Sequence, residues 1–118
     1  MKEEFIKRFR QFAIDVALLI NDLPKNTINN TYCGQLIRSS SSSGANYKAA
    51  QRGKSPADFI NKLKIVEEET DESIFFLDLL HFFNEPFRQR TDKLLKEGNE
   101  LLAITVASIK TTRKSNDK

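Results

Sequence analysis

Apolar residues recur in this chain every three or four positions over stretches of about twenty residues, a spacing that admits little besides long amphipathic helices. In residues 2–22 the apolar stripe is Phe5, Phe9, Phe12, Ala13, Val16 and Ile20, with Lys2, Lys7, Arg8, Arg10 and Asp15 off it. Pro24 ends this helix, because it lacks an amide hydrogen and biases Leu23 away from helical geometry. A third segment begins with Ser55 as N-cap, Pro56 in the first turn and Asp58 near the positive helix end, a well-formed start signal. Its stripe is Phe59, Leu63, Val66, Thr70, Ile74, Leu77 and His81. The spacing predicts a helix over 56–83, about 40 Å long at 1.5 Å per residue. Asn84-Glu85-Pro86 breaks it. A fourth helix is expected over 87–113 on the stripe Leu94, Gly98, Leu101, Leu102, Thr105 and Ile109, with residues 114–118 as a polar tail.

The second helix is harder to read. Residues 39–44 are Ser-Ser-Ser-Ser-Ser-Gly. Composition favours a flexible linker, since Ser is a poorer helix former than Ala and Gly costs about 1 kcal/mol in a helix interior. Against that, Cys33, Leu36, Ile37, Ser40, Gly44 and Tyr47 form one helical stripe through the run. Small residues there would let a neighbouring helix come close. The expectation is one helix over 27–52, ended by Gly53 as a C-cap. Four helices with short connectors make the chain all-α, an antiparallel up-down-up-down four-helix bundle in a single domain over residues 1–113.

The C-terminal end of the third helix carries a surplus of apolar residues. Phe75, Phe76, Leu79, Phe82 and Phe83 project away from its core stripe. Ile14 and Leu18 likewise face away from the stripe of the first helix. Either the connecting turn and fourth helix cover the Phe-rich side, or it forms a subunit interface.

Net charge is +3, unevenly spread. Residues 1–54 carry nine Lys/Arg against four Asp/Glu, residues 55–85 two against eight, and residues 86–118 eight against four. Charge complementarity between solvated helix faces accounts for this pattern, and so does a basic face for nucleic acid. Arg38, Lys48 and Arg52 lie within about 80° of one another on a helical wheel, and Lys54 extends the set. Such a stripe suits phosphates, or it pairs with the acidic third helix, with Glu68 or Glu72 as the expected partner of Arg38.

Sites of chemistry are absent from the pattern. His81, the single histidine, sits on a core stripe, and no set of cysteines or carboxylates stands at metal-ligand spacing around it. Cys33, the single cysteine, excludes an internal disulfide and suits a reducing cytoplasm. There is no nucleophile elbow, phosphate loop or dinucleotide turn. Glu67, Glu68, Glu69, Asp71 and Glu72 are dense, but the Glu-x-x-His pairs of di-iron bundles do not occur. No run of about 18 apolar residues is present to span a membrane. The sequence therefore predicts no catalytic residue, no metal, no cofactor and no membrane partner.

Several segments are similar to a known family. They are Gln35-Leu36-x-Arg38-Ser39, Gly44-Ala45-Asn46-Tyr47, Ser55-x-x-Asp58-Phe59-Ile60, the run Ile65 through Leu80 and, more weakly, Leu94 through Leu101. Together they resemble the four-helix-bundle proteins encoded by intervening sequences in bacterial 23S ribosomal RNA genes. The resemblance implies that the serine run is helical and that the chain forms a homo-oligomer, a pentamer in this family. The accessory variability protein of diversity-generating retroelements is a related basic bundle, which implies RNA or DNA as a partner. Many members carry a Glu shortly after the Asn of the second-helix motif. Here Ala49 and Ala50 stand instead, so no role of that carboxylate transfers. Two functions are expected: a non-enzymatic oligomeric bundle binding nucleic acid through Arg38, Lys48, Arg52 and Lys54, or an adaptor binding a protein through the apolar face of the third helix.

Overall fold

The computed structural model describes residues 2–116 and contains four long helices. These are α1 (Lys2–Asp22), α2 (Thr27–Ala50), α3 (Pro56–Phe83) and α4 (Arg88–Asn116), with a single 3-10 turn, Glu85–Phe87, before α4. Each helix packs against its neighbours in sequence, and α4 closes the ring against α1. Among the described residues no Cα of α1 lies within 8 Å of one in α3, nor any of α2 within 8 Å of one in α4, so these are the diagonal pairs. The result is a four-helix bundle with extents of 51 × 20 × 19 Å.

The core follows the helical period. Phe9, Phe12, Val16 and Leu19 of α1 meet Leu36 and Tyr47 of α2, Leu63, Val66, Leu77 and Leu80 of α3, and Leu101 and Ile109 of α4. Phe9 stacks on Tyr47 with ring centroids 4.4 Å apart. Leu19, outside the expected stripe, is fully buried, whereas Ile20 is half-buried. Gly98 of α4 is a position where size is limiting. A Cβ there would stand 3.1 Å from Ile74 Cγ1 and 3.5 Å from the Phe12 ring.

The serine run is helical. Ser39, Ser40 and Ser43 are fully buried, and each hydroxyl bonds to a carbonyl one turn back. Ser39 Oγ also lies 2.8 Å from Ser73 Oγ across the α2–α3 seam. The buried face of α2 is therefore rotated from the expected stripe: Ser39 and Ser43 are inside, and Ile37 is exposed. Five serines give little apolar contrast, so the sequence leaves the phase of this helix loosely determined.

Helix ends follow side-chain chemistry. Asn26 caps α2 by accepting from Asn29 N at 2.8 Å. Ser55 caps α3 by accepting from Asp58 N at 3.1 Å. Lys25 Nζ donates to the carbonyls of Ile20, Asn21 and Leu23, closing α1 with a cation at its negative end. Gly53 is not the left-handed cap the sequence suggests, because no φ among the described residues is positive. Instead α2 tightens through bonds from Gln51, Arg52 and Gly53 to carbonyls three residues back. Space is tight at Gly53, where a Cβ would stand 3.1 Å from Ala50 O and 3.2 Å from Phe59 N. At the other end Asn29 and Asn84 exchange amide hydrogen bonds of 2.9 Å in both directions. That buried pair ties the start of α2 to the end of α3. The fourth helix continues three residues past its expected end at 113 because nothing in Lys114-Ser115-Asn116 breaks it. Asp117 and Lys118 of the expected tail lie outside the described residues.

Candidate functional site

The antiparallel arrangement sorts charge by bundle end. The start of α1, the end of α2, the start of α3 and the end of α4 converge at one end, where they line a common groove. Residues 2–7, 48–64 and 106–116, which build this end, carry ten Lys/Arg against three Asp/Glu. Among the described residues none of these ten cations forms a side-chain ion pair. Lys48, Arg52 and Lys54 belong to this set, and all three are exposed.

The opposite end is different. Residues 17–32 and 76–92 carry three Lys/Arg against four Asp/Glu. All three cations there are engaged. Lys25 caps α1, Arg88 donates to the carbonyls of His81 and Phe82 at 3.1 Å, and Arg90 pairs with Asp22 at 2.8 Å. Free positive potential is thus concentrated at one pole.

Arg38 separates from the other expected phosphate-binding residues. Its guanidinium spans the α2–α3 seam and pairs with Glu69, at 3.1 Å, and with Glu72. Glu72 is one of the expected partners, and Glu69 stands in place of Glu68 because it lies on the α2 side of α3. Arg8 is held similarly by Glu97 at 2.6 Å across α1 and α4, a hydrogen bond that lifts its pKa above the ordinary arginine value.

The aromatic residues of α3 divide. Phe76 is half-buried, with its ring 6.0 Å from Tyr32 of α2, and Leu79 is also half-buried. Phe83 lies 6.2 Å from Tyr32 yet stays 47% exposed. Phe75 is 58% and Phe82 70% exposed. Neither the connecting turn nor α4 covers Phe75, Phe82 and Phe83. Leu18 of α1 is also exposed, at 55%.

The remaining reactive groups are structural in setting. His81 Nδ1 lies 2.6 Å from Thr91 Oγ1. Cys33 is buried, and burial raises its thiol pKa. Among the described residues no three His, Cys, Asp or Glu side chains converge as a metal site. No helix among them is long and apolar enough to cross a membrane.

Fold and surface together define a class, a four-helix bundle with one basic pole and an uncovered aromatic strip. Among solved structures, the chain is similar to the crystal structure of a protein of unknown function from Bacteroides thetaiotaomicron, of the S23 ribosomal protein family. The TM-score is 0.78 and the identity 27%, over 90% of this chain and 98% of that one. No family model and no curated protein matches the sequence.

Proposed function

We propose that this protein is a non-enzymatic, oligomeric four-helix bundle that binds RNA or DNA through its basic pole, with Lys48, Arg52 and Lys54 among the contacting residues. One observation carries the reading: ten cations against three carboxylates gather at one end, and among the described residues none of the ten forms a side-chain ion pair. Side chains left in this state attract phosphate, and releasing condensed counterions from the nucleic acid drives association. Arg38 is not part of the proposal, since Glu69 and Glu72 already hold it. The likeness to a structure from the S23 ribosomal protein family supports an RNA setting. It is also consistent with membership of the bundle proteins encoded by ribosomal RNA intervening sequences. The test is titration of RNA and DNA, single- and double-stranded, across a salt series. Affinity should fall steeply and log-linearly with salt. Absence of binding even at low salt would overturn the proposal.

The exposed Phe75, Phe82 and Phe83 favour a second reading, self-association through the outer face of α3, with five subunits as the number the family resemblance implies. A protein partner docking there is the alternative occupant. The solution mass of the purified chain decides whether the strip is covered by its own copies.

A further inference from the structure

Charge alone leaves one feature of the basic pole unused. A groove of about 620 Å³ opens there between the start of α1, the α2–α3 turn and the last turns of α4. Its apolar lining includes Phe5, Phe59, Ile104 and Ala107. Phe5, Phe59 and Ile104 pack on the core from one side and are only partly buried. Lys2 lines the groove itself. Lys54 stands between the lining residues Gly53 and Ser55, and Lys110 between Ser108 and Thr111.

We propose that this groove receives an unpaired nucleobase of a single-stranded nucleic acid while the surrounding cations hold the flanking phosphates. The inference rests on the nucleic-acid reading above and gives it a substrate class. A duplex turns its phosphates outward and keeps its base faces stacked inside, so it would meet the cations and leave the groove empty. An unpaired base exposes both faces, and partly buried phenylalanines with nearby cations form the stacking-and-charge combination that such strands use. The groove falls within the range of about 300–1,000 Å³ typical of small-ligand sites, room enough for a base.

Part of the polar lining is already engaged within the protein. The Gln51 amide donates to Tyr47 O at 3.1 Å, the Ser55 hydroxyl accepts the amide of Asp58, and the Thr112 hydroxyl donates to Ser108 O at 2.8 Å. These bonds engage part of the polar lining, while the hydroxyls of Ser108 and Thr111 also face the groove. The apolar faces of Phe5 and Phe59 are what the groove offers to any base.

The experiment compares a short oligothymidylate with an abasic strand of the same length, by fluorescence anisotropy at matched low salt. Both strands carry the same phosphates, and one lacks bases. The groove predicts that the oligothymidylate binds more tightly by about tenfold or more, the worth of one stacked base. Ala107→Leu, an exposed α4 position on the groove wall, should abolish that preference and leave abasic-strand affinity unchanged. Equal affinity of the two strands for wild type would overturn the groove proposal while leaving the charge reading intact. A preference that survives Ala107→Leu would overturn the assignment to this groove. Failure of both strands to bind would overturn the groove proposal, and the charge reading falls with it if RNA and duplex DNA also fail to bind at low salt.

Discussion

Ser39–Ser43 of α2 and Phe75–Phe83 of α3 form a contrasting pair. The first is the most polar-looking run of its helix, yet three of its five serines are fully buried. The second is the most aromatic run of the chain, yet Phe75, Phe82 and Phe83 are exposed. The serines lie inside because they are small and because their hydroxyls find partners locally. Each bonds a carbonyl one turn back, and Ser39 and Ser73 bridge the seam. A satisfied hydroxyl costs little to bury. The phenylalanines lie outside because the inner face of α3 is already filled by Leu77 and Leu80. Burial in this bundle follows available space and hydrogen bonding, and polarity alone does not predict it.

This contrast can be broken from either side. Ser43→Leu should have the largest effect, because Ser43 is fully enclosed and overpacking costs about 1–3 kcal/mol. Denaturant unfolding measures it, and an unchanged midpoint would mean the seam holds unfilled space. Phe82→Asp should leave subunit stability within about 0.5 kcal/mol, as expected at an exposed site, while shifting the mass by light scattering to that of a monomer. A wild type that is already monomeric would remove the self-association reading. Ser39→Ala deletes the bridge to Ser73, but Ser73 keeps its bond to Glu69 O at 2.9 Å. The expected loss is about 1 kcal/mol. Thr70→Val should have the opposite sign. Thr70 Oγ1 is buried without a partner, so replacing it with a methyl group should stabilise the fold by up to about 1 kcal/mol.

Much of the fold was legible in the sequence because its signals are local. The α1 stripe of Phe9, Phe12 and Val16, the Ser55 cap and the Pro24 stop all act within a few residues. The rotation of α2 was not legible, since serines carry no strong preference for one face and Ile37 suggested the wrong one. The Asn29–Asn84 pair joins residues 55 apart in sequence, and nothing in either neighbourhood announces it. The basic pole was only half visible. Counting charge along the chain grouped Lys48 and Arg52 with Arg38, and it mixed Lys110 and Arg113 with Arg88 and Arg90. Helix direction separates them: Arg38, Arg88 and Arg90 are engaged by Glu69, the α3 carbonyls and Asp22, while the others gather unpaired at one end. Helical phase alone gives the outward projection of Phe75 and Phe82 but not whether anything covers them, and it does not show that Phe76 leans on Tyr32.

The central claim is that the position of charge, rather than its total, makes the binding surface. Two double variants with equal net charge test it directly: Arg52→Glu with Lys54→Glu at the pole, and Lys93→Glu with Lys96→Glu on the exposed side of α4. The measurement is single-stranded RNA affinity across a salt series. The pole variant should bind more weakly, with a log–log salt slope shallower by about 1.4 for two lost phosphate contacts, while the α4 variant should keep the wild-type slope. Equal losses in the two variants would contradict the account.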